Sequence, residues 1–355
     1  MKNPKIKNLL KNILPSAISV AAGILIGFYI LLIAFPVNCL DGIGLILFGG
    51  FYRGIWGVTM TLQKAAPIIM TGLAAGFAFK TGLFNIGASG QFTVGAFAAI
   101  LVGVKCTFLP PVIHTIAAIL AAAAAGAVWA GISGALKAFF GVNEVISGIM
   151  LNYSGLYLTN LLIRSYAYNQ NFNRSATVAA SAVICSRAFD FNPVILIAAA
   201  MVFVIRTTLD RTAFGYELKT IGRNPDAGRY AGMDDKKSIV LTMMISGALC
   251  GIGAALMYLS DFGDYVFITD AVQPYGFTGI SVALLGMSDP FGIFFAGILI
   301  AYLNVGGALL QLCGYSQDII DMMLAAIIYC GALTVPVRML LQKLLPSLYR
   351  KEEEK

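Results

Sequence analysis

The chain has 355 residues, of which 59% are hydrophobic and only 12% charged, and its formal net charge is +7. A water-soluble domain carries about a quarter charged residues, so this composition excludes an ordinary soluble fold; a bilayer accepts such a chain when its backbone polar groups are satisfied inside helices. The basic residues sit at the ends of apolar runs, as membrane topology signals do, which argues against nucleic-acid binding.

The first apolar run, Leu14 to Phe35, follows a basic stretch from Lys2 to Lys11. At about 22 residues and 1.5 Å per residue it is long enough to span a bilayer. A secretory h-region is shorter, and no small-residue cleavage pattern follows Pro36, so a retained extra N-terminal helix is expected over 14–36. The Gly-rich stretch 40–57, with Arg53, reads as an interfacial or re-entrant piece. Further membrane segments are expected over 60–80, 84–104, 111–137, 143–163, 193–209, 238–259, 276–288, 290–311 and 318–341. The segment 276–288 is too short to cross about 30 Å of hydrocarbon alone. It ends at Ser288-Asp289-Pro290, where Asp289 and Pro290 suit the N-cap and N1 positions of the next helix. The expected fold is an all-α integral membrane protein, a single transmembrane domain over 1–355 with about ten transmembrane helices and short or broken helices at its pathway.

Ten crossings return the chain to its starting side. With the N-terminus in the cytoplasm, the inner side holds Lys2, Lys5, Lys7, Lys11, Lys80, Lys137, the seven basic residues of 206–237, and Arg338, Lys343, Arg350, Lys351 and Lys355. The outer side holds Arg53, Lys64, Lys105, Arg164, Arg174 and Arg187. This threefold bias satisfies the positive-inside rule and puts both termini in the cytoplasm. The outer segment 260–275 is instead acidic, with Asp261, Asp264 and Asp270. The outer loop 164–192, rich in Asn, Ser, Tyr and Arg, suits contact with a soluble partner. The inner loop 206–237 mixes seven basic with five acidic residues, the composition of a structured element rather than a plain linker.

Hydrolytic chemistry has no support in the chain. Gly82 to Ser89 has the glycine spacing of a Walker A loop, but Ala88 stands where the phosphate-binding lysine is needed, so any ATP must be hydrolysed by another chain. No nucleophilic triad or paired carboxylates are found. The six cysteines form no CxxC pair, and neither a disulfide framework nor a metal site is expected. His114, after Pro110-Pro111, reads as an interfacial histidine. Glu144 and Asp321, the best candidates for intramembrane carboxylates, both fall near expected helix ends.

The polar groups inside the expected spans are neutral: Asn85, Ser89, Gln91, Asn152, Tyr153, Tyr157, Asn160 and Asn304. Amides and phenols both donate and accept hydrogen bonds, and aromatic faces stack on planar rings, which suits an uncharged polar solute such as a sugar or nucleoside. The structural alternative is interhelical hydrogen bonding at about 0.6 kcal/mol per bond. Two Gly-rich segments, Thr81 to Gln91 and Tyr275 to Ser281, occupy corresponding places in the two halves. Paired interruptions of this kind mark the midplane pathway of transporters, which adds Phe84, Thr278 and Ser281 to the candidate pathway residues. The alternative is close packing through small residues, as in Gly72xxxGly76 and Gly247xxxGly251.

Three segments together resemble the permeases of the bacterial ABC importer group that handles simple sugars, branched-chain amino acids and nucleosides. They are Gly82-Leu83-Phe84-Asn85-Ile86-Gly87-Ala88-Ser89-Gly90-Gln91, Asn143-Glu144-Val145-Ile146-Ser147-Gly148-Ile149-Met150-Leu151-Asn152-Tyr153, and Ile221-Gly222-Arg223-Asn224-Pro225-Asp226-Ala227-Gly228-Arg229-Tyr230-Ala231-Gly232-Met233. The first two look most like the nucleoside branch, and the likeness runs from about Pro67 to Pro336. The resemblance implies a type II ABC importer-like permease in the bacterial plasma membrane, with 67–336 as the family core. It implies no cofactor bound by this chain, because ATP and Mg bind the partner ATPase. It also implies a second permease subunit in a heterodimer and an extracytoplasmic solute-binding lipoprotein. For 206–237 it implies a short cytoplasmic coupling helix that docks into the ATPase, carried here by Gly222, Arg223, Asn224, Pro225, Ala227, Tyr230, Ala231 and Gly232. The residues agree: Arg223-Asn224-Pro225-Asp226 is a turn and helix start, and Tyr230 is a fit anchor for a groove. Two departures stand out. Ser89 replaces the usual acidic residue before Gly-Gln, and Gly228 replaces a common Ala. Alternative functions are an ABC permease for simple sugars and an ATP-independent carrier or channel.

Overall fold

The computed structural model describes residues 4–34, 39–51, 54–184, 193–260 and 263–344. Among these it is helical apart from one two-residue antiparallel ladder, Tyr168–Asn169 with Arg174–Ser175, and two isolated antiparallel bridges, Arg174–Phe267 and Ser260–Gly263. The helices are α1 Pro4–Ala34, α2 Cys39–Phe48, α3 Ile55–Lys80, α4 Ala88–Lys105, α5 Pro111–Phe140, α6 Glu144–Tyr166, α7 Val194–Arg211, α8 Ala213–Arg223, α9 Pro225–Tyr230, α10 Asp235–Tyr258, α11 Tyr275–Leu285, α12 Pro290–Leu309, α13 Gln317–Ala332 and α14 Thr334–Leu344. Among the described residues, seven helices are long and apolar enough to cross a membrane, or eight if the bent pair α13–α14 is one span.

About ten crossings were expected, and length and composition alone pick out fewer. The segment 193–209 forms α7, which carries Arg206, Asp210 and Arg211 in its last turns. The segment 276–288 forms α11, of only 11 residues. The last segment bends by 49° between α13 and α14. The segment expected to start at residue 84 begins its helix at Ala88 instead, because residues 81–87 leave the helical path. Within 40–57 the chain forms α2 and a 3-10 turn, Gly49–Phe51, too short to cross about 30 Å. Lys2, Arg53, Arg187, Asp261, Arg350, Lys351 and Lys355, all assigned to a side by charge, lie outside the described residues.

α3 is the axis of the bundle. It is apolar all round, as a fully surrounded helix must be, and every residue from Ala65 to Ala78 is buried. α7, α10, α11 and α12 pack around it. In a bilayer, lipid is as apolar as leucine, so close backbone approach and van der Waals contact drive this packing. α5 and α10 show it most clearly. A methyl group on Gly247 would lie 2.2 Å from the Gly126 carbonyl oxygen, and one on Gly251 would lie 2.1 Å from the Ala122 oxygen. Gly72 and Gly76 instead receive the side chains of Val282 and Ile293. α1 docks on α13 through Gly23, beside Ile327, and Gly27, beside Met323. Outward-facing positions stay apolar, among them Leu25, Leu120, Val128 and Phe295. Such a surface suits lipid rather than water.

Two local expectations are refined. His114, in the first turn of α5, is fully buried within the protein, with Nδ1 2.9 Å from Ser181 Oγ and Nε2 2.9 Å from the Val102 carbonyl oxygen. The carbonyl can only accept, so Nε2 carries the proton and Nδ1 accepts from Ser181. The imidazole thus staples the loop before α7 to α4 and α5. Asp289 does stand at the N-cap of α12 with Pro290 next, but its carboxylate caps no backbone N–H. It accepts two hydrogen bonds from Arg206 Nη1, at 2.7 and 2.9 Å, because the guanidinium is the stronger donor.

Replacing Gly251 with valine would force α5 and α10 apart. Overpacking costs about 1–3 kcal/mol even where side chains can give way, and here the obstacle is backbone. The variant is expected to show a lower melting temperature in detergent and less monodisperse protein by size-exclusion chromatography.

Candidate functional site

The break between α3 and α4 is the most polar interior feature of the bundle. α3 ends at Lys80, Thr81 folds its hydroxyl back onto the Phe77 and Ala78 carbonyls, and Gly82 turns with φ +77°. That left-handed turn is open to glycine and strained for most other residues. The chain then runs to Gly87, where α4 begins.

Side-chain amides hold the break. Asn85 Nδ2 donates to Gln91 Oε1 at 2.8 Å, and Gln91 Nε2 returns a bond to Asn85 Oδ1 at 2.9 Å. Asn85 Nδ2 also donates to Ser246 Oγ at 2.7 Å, and Ser246 donates to the Ala74 carbonyl at 2.8 Å. Asn152 on α6 accepts from the Gly90 N–H at 2.7 Å and donates to the Ile86 carbonyl at 3.0 Å. All four side chains are buried. The clasp therefore ties α3, α4, α6 and α10 to one short segment.

The two Gly-rich segments meet. A methyl group on Gly276 would lie 2.3 Å from Ser89 N and 2.4 Å from Ser89 Oγ. Tyr275 stacks on Phe92 with centroids 5.2 Å apart and planes 11° apart. Ser89 is fully buried, and its hydroxyl has no partner among the described residues.

The candidate pathway residues thus divide in two. Asn85, Ser89, Gln91 and Asn152 are interior, the three amides engaged with one another or with backbone. Tyr153 and Tyr157 lie about one turn apart on α6 and are half exposed, on a face shared with Ile146, Met150 and Leu161. Phe84 is partly exposed and stacks on Phe79 at 5.2 Å. Thr278 and Ser281 are half-buried on α11, and the Thr278 hydroxyl returns to the Pro274 carbonyl.

The second candidate region, 222–232, lies beside the break. Asn224 caps α9 by accepting from the Asp226 and Ala227 N–H groups, both at 3.1 Å, and Pro225 takes the first helical position. α9 stops at Tyr230, Ala231 follows as its C-cap, and Gly232 turns with φ +79°. Tyr230 is 94% exposed. Arg223 and Ala227 are exposed, and Gly222 packs on the break. Gly228 has a local reason: a methyl group there would lie 2.8 Å from Ile221 Cγ1. Sequence reasoning missed Arg229, whose guanidinium bonds Asp235 at 2.6 and 3.1 Å and pins α9 to the start of α10. This hydrogen bond raises the Arg229 pKa above its ordinary value. It also missed Ser246, although a serine inside the apolar run of α10 signals a buried partner.

The family described as "Branched-chain amino acid transport system / permease component" matches residues 57–332. The chain belongs to this permease family. The permease is 36% identical over 306 residues to the guanosine ABC transporter permease protein NupP of Bacillus subtilis (strain 168), covering 84% of this chain and 87% of that one. It is 30% identical over 349 residues to the nucleoside ABC transporter permease protein NupB of Lactococcus lactis subsp. cremoris (strain MG1363), covering 95% of each. It is also 32% identical over 313 residues to the glucose ABC transporter permease protein TsgB13 of Haloferax volcanii, covering 84% of this chain and 81% of that one. The permease is thus a multi-pass membrane protein, and its clasp lies within the matched region.

Removing Asn85 from the clasp leaves buried Gln91 without its partner, a loss of about 1–3 kcal/mol. Asn85→Ala is expected to lower the melting temperature of the purified permease. Tyr157→Ala, at an exposed position, is expected to stay within about 0.5 kcal/mol of the parent.

Proposed function

We infer that this chain is the permease subunit of an ABC importer that carries nucleosides across the bacterial plasma membrane, with ATP hydrolysed by a partner subunit. Similarity to guanosine and nucleoside permeases over most of the chain carries the solute assignment. The chemistry of the candidate surface agrees with it. Tyr153, Tyr157 and Phe84 offer faces on which a base can stack, and Thr278 and Ser281 offer hydroxyls for ribose. Asn85, Gln91 and Asn152 fix the break beside them through their hydrogen bonds, and buried Ser89 remains a candidate pathway residue.

The exposed position of Tyr153 and Tyr157 supports a second permease subunit. A pathway along α6 is open on one side in a lone bundle, so a partner is needed to enclose it. The surface 222–232 supports docking of the ATPase. Tyr230 projects from a helix that is capped by Asn224 and braced by Arg229, so the anchor is presented rigidly. Coupling is assigned to Gly222, Arg223, Asn224, Pro225, Ala227, Tyr230, Ala231 and Gly232. This docking puts 206–237 in the cytoplasm, and with α7 and α11 both counted as crossings the two termini lie there as well. At the opposite end of the bundle, exposed Tyr166, Phe172 and Phe267 suit contact with a solute-binding lipoprotein. ATP and Mg belong to the ATPase, and this chain binds neither.

A simple sugar is the second reading, because one similar permease is named for glucose. Uptake of labelled guanosine, cytidine and ribose by cells with and without the gene separates the two. Loss of guanosine or cytidine uptake with unchanged ribose uptake is expected, and the reverse pattern would sink the nucleoside assignment. Tyr230→Glu and Gly232→Glu are expected to abolish uptake while the protein still inserts. Tyr230 faces open space; a side chain at Gly232 meets nothing within 4 Å but takes on the backbone strain of φ +79°, so Gly232→Ala serves as the control. Normal uptake in both variants would refute the coupling assignment.

A further inference from the structure

We propose that the backbone contact between Gly82 and Gly222 is the joint through which motion of α8 and α9 reaches the buried clasp, so that Gly82 is a positioning residue for transport. This rests on the reading that 222–232 docks the ATPase.

The contact is closer than any side chain allows. A methyl group on Gly222 would lie 2.5 Å from Thr81 C, 2.6 Å from Thr81 O and 2.8 Å from Gly82 N. One on Gly82 would lie 2.7 Å from both Gly222 Cα and Gly222 O. Every one of these atoms is backbone, so no rotamer change relieves the clash. Gly222 is one residue before the end of α8, two before the Asn224 cap of α9. A displacement of α9 therefore arrives at Thr81-Gly82 without a flexible side chain between.

From Gly82 the connections fan out. Three residues on, Asn85 bonds Ser246 on α10, and Ile86 bonds Asn152 on α6. Each link is short, buried and made by groups with few alternative partners in an apolar interior. Beside the joint a cavity of about 360 Å³ is lined by Phe79, Lys80, Lys219, Arg223 and Pro290, which leaves α8 room to shift. The helix bearing Tyr153 and Tyr157 is thus tied by hydrogen bonds to a segment that touches the docking loop directly.

The test uses the full importer, reconstituted in liposomes with its ATPase and solute-binding protein. Gly82→Ala inserts a methyl group into the joint and leaves the exposed surface 223–232 unaltered. The ATPase is expected to co-purify and to hydrolyse ATP at its basal rate. Stimulation by solute-loaded binding protein is expected to disappear, and the maximal uptake rate to fall about tenfold or more with KM unchanged, the size of a typical coupling between sites. Uptake within twofold of the parent overturns the proposal. So does a rise in KM at an unchanged maximal rate, which would make Gly82 a solute contact. Should Gly82→Ala fail to insert, Ser246→Ala reads the same path without adding an atom, and unaltered stimulation in that variant also overturns it. Docking is scored separately with Tyr230→Glu: retained ATPase binding there would sink the docking reading and the joint with it. Lost binding there with normal uptake in Gly82→Ala would sink the joint alone.

Discussion

A helix interrupted inside a packed bundle must satisfy its loose backbone groups with protein partners. Residues 81–87 meet that demand with amides. Asn152 bonds the Ile86 carbonyl and the Gly90 N–H, and Asn85 pairs with Gln91 and Ser246. The remainder of the bundle is arranged to supply these partners: α6 for Asn152, α10 for Ser246, α3 for the Ala74 carbonyl that Ser246 needs. Because each partner arrives from a different helix, the clasp defines how four helices sit relative to one another. The same economy explains why the buried polar side chains of these spans are, His114 apart, amides and hydroxyls. They satisfy backbone donors and acceptors without the cost of a buried charge.

The Gly-rich segments serve packing and placement together. Gly276 lets α11 settle onto the Ser89 backbone, while Gly82 and Gly90 let neighbouring chains approach the break. Side chains kept out of the interior, such as Tyr153 and Tyr157, are left at the surface of the bundle. An interior filled by backbone and small residues leaves the variable chemistry on the exposed faces. This division suits a family whose members carry different solutes on one architecture.

Much of this was legible in the chain. Apolar runs located most spans, and Asn224-Pro225 announced α9 because a cap followed by proline has one structural meaning. Gly247xxxGly251 announced the contact with α5. The break at 81–87 was harder. Thr81 to Gln91 stood out as a Gly-rich interruption, but nothing local showed that the helix resumes only at Ala88 or that Asn85 bonds Ser246. Arg206–Asp289 and Asn85–Ser246 join residues 83 and 161 positions apart, and no local pattern marks such pairs. The partners of His114 were hidden for the same reason: Ser181 sits 67 residues away. Length and composition alone count fewer crossings than the ten expected, because α7 carries charges in its last turns and α11 has only 11 residues.

The seam between α5 and α10 has a bearing on how any motion is shared out. Carbonyls and α-carbons touch there with nothing compressible between them. Two helices in such contact travel as one beam, since sliding by a fraction of an ångström would collide main chain with main chain. Rearrangement during a transport cycle is then absorbed at side-chain-lined boundaries, such as that between α3 and α12, where Ile293 and Ile69 meet glycines through flexible methyls. The rigid beam becomes the reference frame against which everything else shifts.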